Sequence, residues 1–313
     1  MKYLITGASG FIGSFLVELL LQKKHDVCAC GQKFGSIFYN LPGNLLIQEG
    51  NIENADYIYD AIQEYKPDVI IHLAAQSFPN ISWESPVHTF EVNVIGTINL
   101  LEAVLKTEIK PKIIISSSSS VYASTTTSEP IKENYPLEPD SSPYGVSKLV
   151  QEKLGGLYRK RYDMDILFVR PFFLIGPRKE GDVCSEFAKS IVSIEQGNKS
   201  SIGVGNLEII RDFLDVRDGV EALYLIANKG KNGKTYNICS GVGYPLRYVL
   251  DIFCKQSKHN IFEEKDLSII RPIDDPIRIG DPKKIKMLGW EPLYDIEDTL
   301  IEILQFWRSE LTK

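Results

Sequence analysis

The stretch Lys2-Tyr-Leu-Ile-Thr6-Gly7-Ala-Ser-Gly10-Phe11-Ile12-Gly13 decides the reading of this 313-residue chain. A short apolar strand runs directly into a glycine loop, and an apolar-periodic helix follows to about Leu21. Each glycine has its own physical task. Gly7 permits the tight turn, Gly10 lets backbone N–H groups approach a pyrophosphate at the helix N-terminus, and Gly13 lets helix and strand pack closely. The pattern alone is common. Between a strand and a helix it predicts a dinucleotide site that includes Phe11 and Ile12 of the loop.

Working outward, five further strands are expected at Val27–Cys30, Leu45–Ile47, Val69–Leu73, Lys112–Ile115 and Asp165–Arg170. Helical periodicity fills the gaps at Ala55–Tyr65, Val87–Leu105 and Tyr144–Tyr162. Strands alternating with helices imply right-handed crossovers and a parallel sheet covered on both faces. The fold class is α/β: a Rossmann-like, doubly wound parallel sheet with a smaller mixed α/β C-terminal domain. Residues 1–170 read as the NAD(P)-binding domain and 171–313 mainly as the substrate domain. Segments near 208–227 and 235–240 are candidates to return to the first.

Composition narrows the partners. The net charge is −6 and no like-charged block stands out, so neither nucleic acid nor an anionic membrane is expected. Apolar stretches are too short or interrupted to span a bilayer, and the N-terminus lacks a signal-peptide layout. The five scattered cysteines form no C-x-x-C pair and fit a reducing cytoplasm. Cys28 and Cys30 share one strand face, where packing is the expected role. No metal site is expected.

Three further features carry chemistry. The second strand ends Cys30-Gly31-Gln32-Lys33, without the acid that usually binds an NAD ribose; Asp26 sits at the wrong end of the strand. A 2′-phosphate would meet no repulsion there and Lys33 could attract it, so NADP(H) is preferred and NAD(H) acceptable. If Lys33 is merely a solvated surface lysine, either cofactor fits. Ser116–Ser120 follows a buried strand, where open parallel sheets bind ligands. Tyr144-Gly-Val-Ser-Lys148 places a phenol and an ammonium on one helix face, and a neighbouring cation favours the phenolate.

In that order, the glycine loop, the serine tract and Tyr144/Lys148 resemble the extended short-chain dehydrogenase/reductase family of NAD-dependent epimerases and dehydratases. The resemblance spans essentially the whole chain and implies a catalytic set. Ser118, four residues before Tyr122, would hydrogen bond the sugar oxygen. Tyr144 would be the acid/base, and Lys148 would hold the nicotinamide ribose and tune Tyr144. His72-Leu73-Ala74-Ala75 resembles the fourth-strand end bordering the cofactor, Asn51-Ile52 the adenine contact, and Asn93 also matches. His72 itself, in an apolar strand, reads as a packed histidine.

The C-terminal half is similar to GDP-mannose 4,6-dehydratases and GDP-4-keto-6-deoxy-mannose reductases. The similarity lies in Gly205 to Phe213, Asp215 to Asp218, Arg271 to Pro276, Gly280-Asp281 and Gly289-Trp290. Ala75-Gln76-Ser77 and Ser82-Trp83 point the same way. Gln76, Ser118, Ser119, Tyr144, Arg211 and Arg271 are then the substrate contacts, the arginines because a guanidinium fork suits paired phosphate oxygens. The alternative is that Arg211 pairs with Asp212 or Asp215 as a structural salt bridge.

Two departures matter. Ser119 and Ser120 stand where dehydratases carry acids for water elimination, so dehydration is not expected. Phe173 stands where the family often has an asparagine at the diphosphate. The expected function is NAD(P)H-dependent reduction of a 4-keto-6-deoxy nucleotide sugar at carbon 4. The alternatives are a redox-neutral 4-epimerase and a catalytically silent dinucleotide-binding regulator. The resemblance also implies a homodimer built on helices 87–105 and 144–162.

Overall fold

The computed structural model describes residues 1–269 and 275–312. Its first six strands are β1 (Lys2–Thr6), β2 (Asp26–Gly31), β3 (Leu45–Glu49), β4 (Val69–His72), β5 (Lys112–Ser116) and β6 (Ile166–Pro171). Each lies within two residues of its expected place. Then come β7 (Phe173–Ile175), β8 (Ser201–Val204), β9 (Ile210–Asp215), β10 (Thr235–Ile238), β11 (Gly243–Pro245), β12 (Phe262–Lys265) and β13 (Ile277–Arg278).

Seven strands form one sheet in the order β10-β6-β5-β4-β1-β2-β3, with every pairing parallel. The central strands are buried on both faces, which is why they read as continuous apolar runs rather than alternating ones. The order reverses between β1 and β4, and the crevice outside their carboxyl ends is where such sheets bind ligands.

Residues 235–238 join this sheet beside β6. Residues 210–215 do not: β9 is the middle of a smaller sheet with β7, β11 and β13. The following helix, Val216–Lys229, packs Val220, Leu223 and Ile226 into the same cluster as Leu16, Val17 and Leu20 of helix Phe11–Gln22. A separate core joins Phe187, Ile191, Phe213, Val249, Phe253, Leu304 and Trp307.

The expected single helix over 87–105 is three pieces. An α-helix at Pro86–Phe90 and another at Gly96–Lys106 flank a π-helical turn at Glu91–Ile95. The extra residue in that turn rotates the face before it relative to the face after it, so Val87 is exposed while Leu100, Leu101 and Val104 are buried. Such turns concentrate at functional sites, and this one holds Asn93. Among the described residues, no helix is long and apolar enough to cross a membrane.

Candidate active site

The glycine loop has the shape an anion needs. Gly7 has φ +68°, and a Cβ there would lie 2.7 Å from the Ala74 nitrogen. A Cβ on Gly13 would lie 2.2 Å from the Gly7 carbonyl oxygen, so only hydrogen fits. Gly10 caps helix Phe11–Gln22, and no side-chain hydrogen bond closes that end. The first N–H groups of a helix lack intrahelical acceptors, so these point at the crevice with the positive end of the dipole. The residues present therefore fit a dinucleotide pyrophosphate.

At the end of β2, Gln32 and Lys33 are exposed. Asp26 stands at the start of β2, but the sheet brings another acid near this end. Glu49 of β3 is the register partner of Gly31, and its carboxylate accepts a hydrogen bond from the Tyr39 hydroxyl at 3.1 Å. Asn51 is exposed. Ile52 is buried against Gly96, and its carbonyl accepts from the Asn99 amide. Leu73, Ala74 and Ala75 line the crevice edge at the end of β4, half-buried.

Asn93 and Gln76 are committed to the protein itself. Asn93 is fully buried; its amide accepts from the Gln76 N–H at 2.8 Å and donates to the Gln76 carbonyl and to Ser147. The Gln76 side chain is bound to Phe78 and Thr89. Both residues thus fix the 73–76 loop from behind.

His72 is the hub of the same network. The Thr97 hydroxyl gives its one proton to the Asn93 carbonyl, so it accepts from His72 Nε2 at 3.0 Å. Nδ1 then accepts from the Thr6 hydroxyl at 2.7 Å, and Thr6 Oγ1 in turn accepts from the Ala74 N–H. The imidazole is neutral with its proton on Nε2. Burial, assisted by the Lys148 charge, holds its pKa at about 3. The expectation of a packed histidine matches this geometry.

Ser118, Tyr144 and Lys148 converge at the end of β5. Ser118 is extended and caps a single 3-10 turn, Ser119–Val121, accepting from the Ser120 N–H at 3.1 Å. Tyr144 opens helix Pro143–Tyr162, whose N-cap Ser142 accepts from the Gly145 N–H. The Tyr144 N–H also bonds Ser82 Oγ at 3.1 Å. Burial raises the phenol's pKa, and a hydrogen bond with the Ser118 side chain pulls it back. The Lys148 ammonium donates to the Ser116 carbonyl at 2.9 Å and lies 6.0 Å from the Tyr144 ring centroid. Burial pushes its pKa down to about 7. In this geometry Lys148 touches the serine strand, and Ser118 is the group that lowers the phenol.

The serine turn is braced from below by a buried polar network. Tyr122 hydroxyl donates to Asn237 at 2.6 Å and accepts from Arg170, which also forms a buried ion pair with Glu152 at 2.5 Å. Arg211, on β9, donates to the Ile210 and Asp275 carbonyls. Asp212 and Asp215 have other ties: Asp212 holds the backbones of Ser240, Gly241 and Gly280, and Asp215 holds Arg217 and Thr299. Arg271 lies outside the described residues. Phe173 packs edge-on against Phe213, with the Lys179 ammonium 4.6 Å from its ring.

A glycine cradle under a doubly wound sheet, with serine, tyrosine and lysine meeting at the fifth strand, defines an extended short-chain dehydrogenase/reductase, a nucleotide-sugar epimerase/dehydratase type. The chain belongs to the GDP-mannose 4,6-dehydratase family, whose model matches residues 4–303. It is similar to the GDP-6-deoxy-D-talose 4-dehydrogenase of Aggregatibacter actinomycetemcomitans, 30% identical over 91% of this chain and 90% of that one. The GDP-6-deoxy-D-mannose reductase of Pseudomonas aeruginosa is 29% identical, over 99% and 98% of the two chains. Among solved structures, the Thermus thermophilus UDP-glucose 4-epimerase complexed with NAD superposes with TM-score 0.88 at 26% identity, covering 98% and 99% of the two chains. RMD from Pseudomonas aeruginosa complexed with NADPH gives 0.86 at 28%, covering 99% of each.

Proposed function

We propose that this protein reduces a 4-keto-6-deoxy nucleotide sugar, GDP-linked by preference, at carbon 4 with NAD(P)H. The convergence of Ser118, Tyr144 and Lys148 at the end of β5 carries the reading. When bound, the reduced nicotinamide supplies the hydride. The Ser118 hydroxyl holds the ketone oxygen, and Tyr144, kept protonated by burial, gives its proton to that oxygen as negative charge develops. Lys148 holds the ribose and supplies positive charge near the phenolate that remains. Ser119 and Ser120 at the turn offer no carboxylate for dehydration. The two GDP-sugar oxidoreductases among the relatives support reduction. A redox-neutral 4-epimerase is the second reading, favoured by the superposition on UDP-glucose 4-epimerase. The test is whether one reduced cofactor is consumed per sugar converted.

NADPH is expected to serve at least as well as NADH, because Gln32 and Lys33 leave the end of β2 open to a 2′-phosphate. Comparing kcat/KM for the two cofactors checks this. A strong NADH preference would assign the ribose to Glu49 instead.

The chain is also proposed to form a homodimer. Val87, Ile95, Val146 and Leu157 are exposed on the helices over 86–106 and 143–162. Pro86, Val87, Phe90, Glu91, Val94 and Ile95 line a shallow depression on the first of these segments. Apolar surface of this kind marks an interface, and two-fold pairing is the commonest closure. Light scattering at micromolar concentration should give twice the 35.3 kDa chain mass; a monomer there would refute it.

A further inference from the structure

Arg278 is the register partner of Arg211 on the adjoining parallel strand, yet the two side chains do different things. The Arg278 side chain is buried, only 7% exposed. Its Nε donates to the Asp275 carboxylate at 2.9 Å, and one terminal nitrogen pairs with the same carboxylate. The other terminal nitrogen donates to the Ser119 carbonyl, and the pairing nitrogen also reaches the Tyr122 carbonyl at 3.5 Å. The guanidinium therefore spans the single turn that begins at Ser118. Asp275 has two further bonds: its carboxylate accepts from Ser124 Oγ, and its carbonyl accepts from Arg211 at 2.7 Å.

A continuous chain of hydrogen bonds thus runs from Arg211 through Asp275 and Arg278 to the residue after Ser118. A planar fork makes such a clamp directional, because several donors are fixed in one plane. Tyr122, at the far end of the turn, is braced separately through its hydroxyl by Asn237 and Arg170. The turn's own bonds are the Ser118 cap and the contacts from Val121 and Tyr122 N–H to Ser118 and Ser119 carbonyls.

We propose that Arg278 is a positioning residue that sets the Ser118 turn and couples it to the β9–β13 strand pair carrying Arg211. Resting on the reductase reading above, it gives the arginine strand a route to the reacting oxygen. Nucleotide held at Arg211 tightens the turn that aims Ser118.

Arg278→Lys is the test, because lysine keeps a counter-charge for buried Asp275 but loses the fork. The variant should fold and bind NADPH with unchanged affinity. With whichever nucleotide sugar the native enzyme converts, kcat should fall by about 10–100-fold, the scale of a misplaced reacting group, while KM moves less than about threefold. Asp275→Asn should show the same split. A kcat within twofold of native, or equal losses in kcat, KM and cofactor affinity, would overturn the proposal. Hydrogen exchange followed by mass spectrometry gives a readout independent of turnover. Amides of residues 118–123 should exchange faster in Arg278→Lys while those of 7–14 stay unchanged. Unchanged exchange over 118–123 would reject the coupling even if no substrate were ever found. Failure of the native enzyme to convert any keto sugar would reject the reductase reading and leave the exchange result to decide this one.

Discussion

Replacing Tyr144 with phenylalanine lowers kcat by about 10²–10⁴-fold, the usual contribution of a general acid or base, while cofactor binding persists. Burial raises the phenol's pKa, with Ser118 opposing the rise, so the group stays protonated in the free protein. Its ring packs at the head of helix Pro143–Tyr162, and phenylalanine fills the same space. The pyrophosphate cradle at Gly7–Gly13 lies on another strand and loses nothing. Fluorescence titration with NADPH should therefore match the native protein while turnover collapses. Near-native kcat would remove Tyr144 from the chemistry.

Arg170→Met should destabilise the fold by about 3–5 kcal/mol, because it strands a buried charge. Arg170 is 3% exposed and Glu152 9%; the bidentate pair between them is joined by bonds from Arg170 to the Tyr122 hydroxyl and the Glu133 carbonyl. Removing the guanidinium leaves Glu152 without its partner and Tyr122 without a donor. Urea unfolding reads the loss as a lower midpoint at unchanged slope. A shift below about 1 kcal/mol, the scale of an exposed pair, would mean that water replaces the guanidinium. The Arg170→Met/Glu152→Leu double variant should recover most of the loss, since an apolar replacement of both partners strands no charge.

The parts of this molecule legible in its sequence are those set by local constraints. Gly7, Gly10 and Gly13 are legible because turn, anion approach and close packing each act within a few residues. Tyr144 and Lys148 are legible because one helical turn separates them. The six strands of the first half show through because burial on both faces makes each an apolar run. Residues joined only by the tertiary fold are not legible. Arg278 meets the Ser119 carbonyl across 159 positions, and Glu49 reaches the end of β2 only through sheet register. Asn93 bonds the Gln76 backbone and Ser147, and the Gln76 side chain bonds Phe78 and Thr89, contacts that sequence spacing does not announce. Which sheet β9 joins depends on its pairing with β7, β11 and β13, which no local pattern announces.

Net reduction at a keto carbon is read by following where the cofactor's hydride goes. The protein is supplied with GDP-4-keto-6-deoxy-mannose and NADPH carrying deuterium at the transferable position. Absorbance of the reduced nicotinamide is followed and the product sugar is analysed by mass spectrometry and NMR. One cofactor should be oxidised per sugar, deuterium should appear at carbon 4, and a parallel reaction should show no interconversion of UDP-glucose and UDP-galactose. Epimerised sugar with no net change in cofactor would contradict net reduction and establish the epimerase in its place.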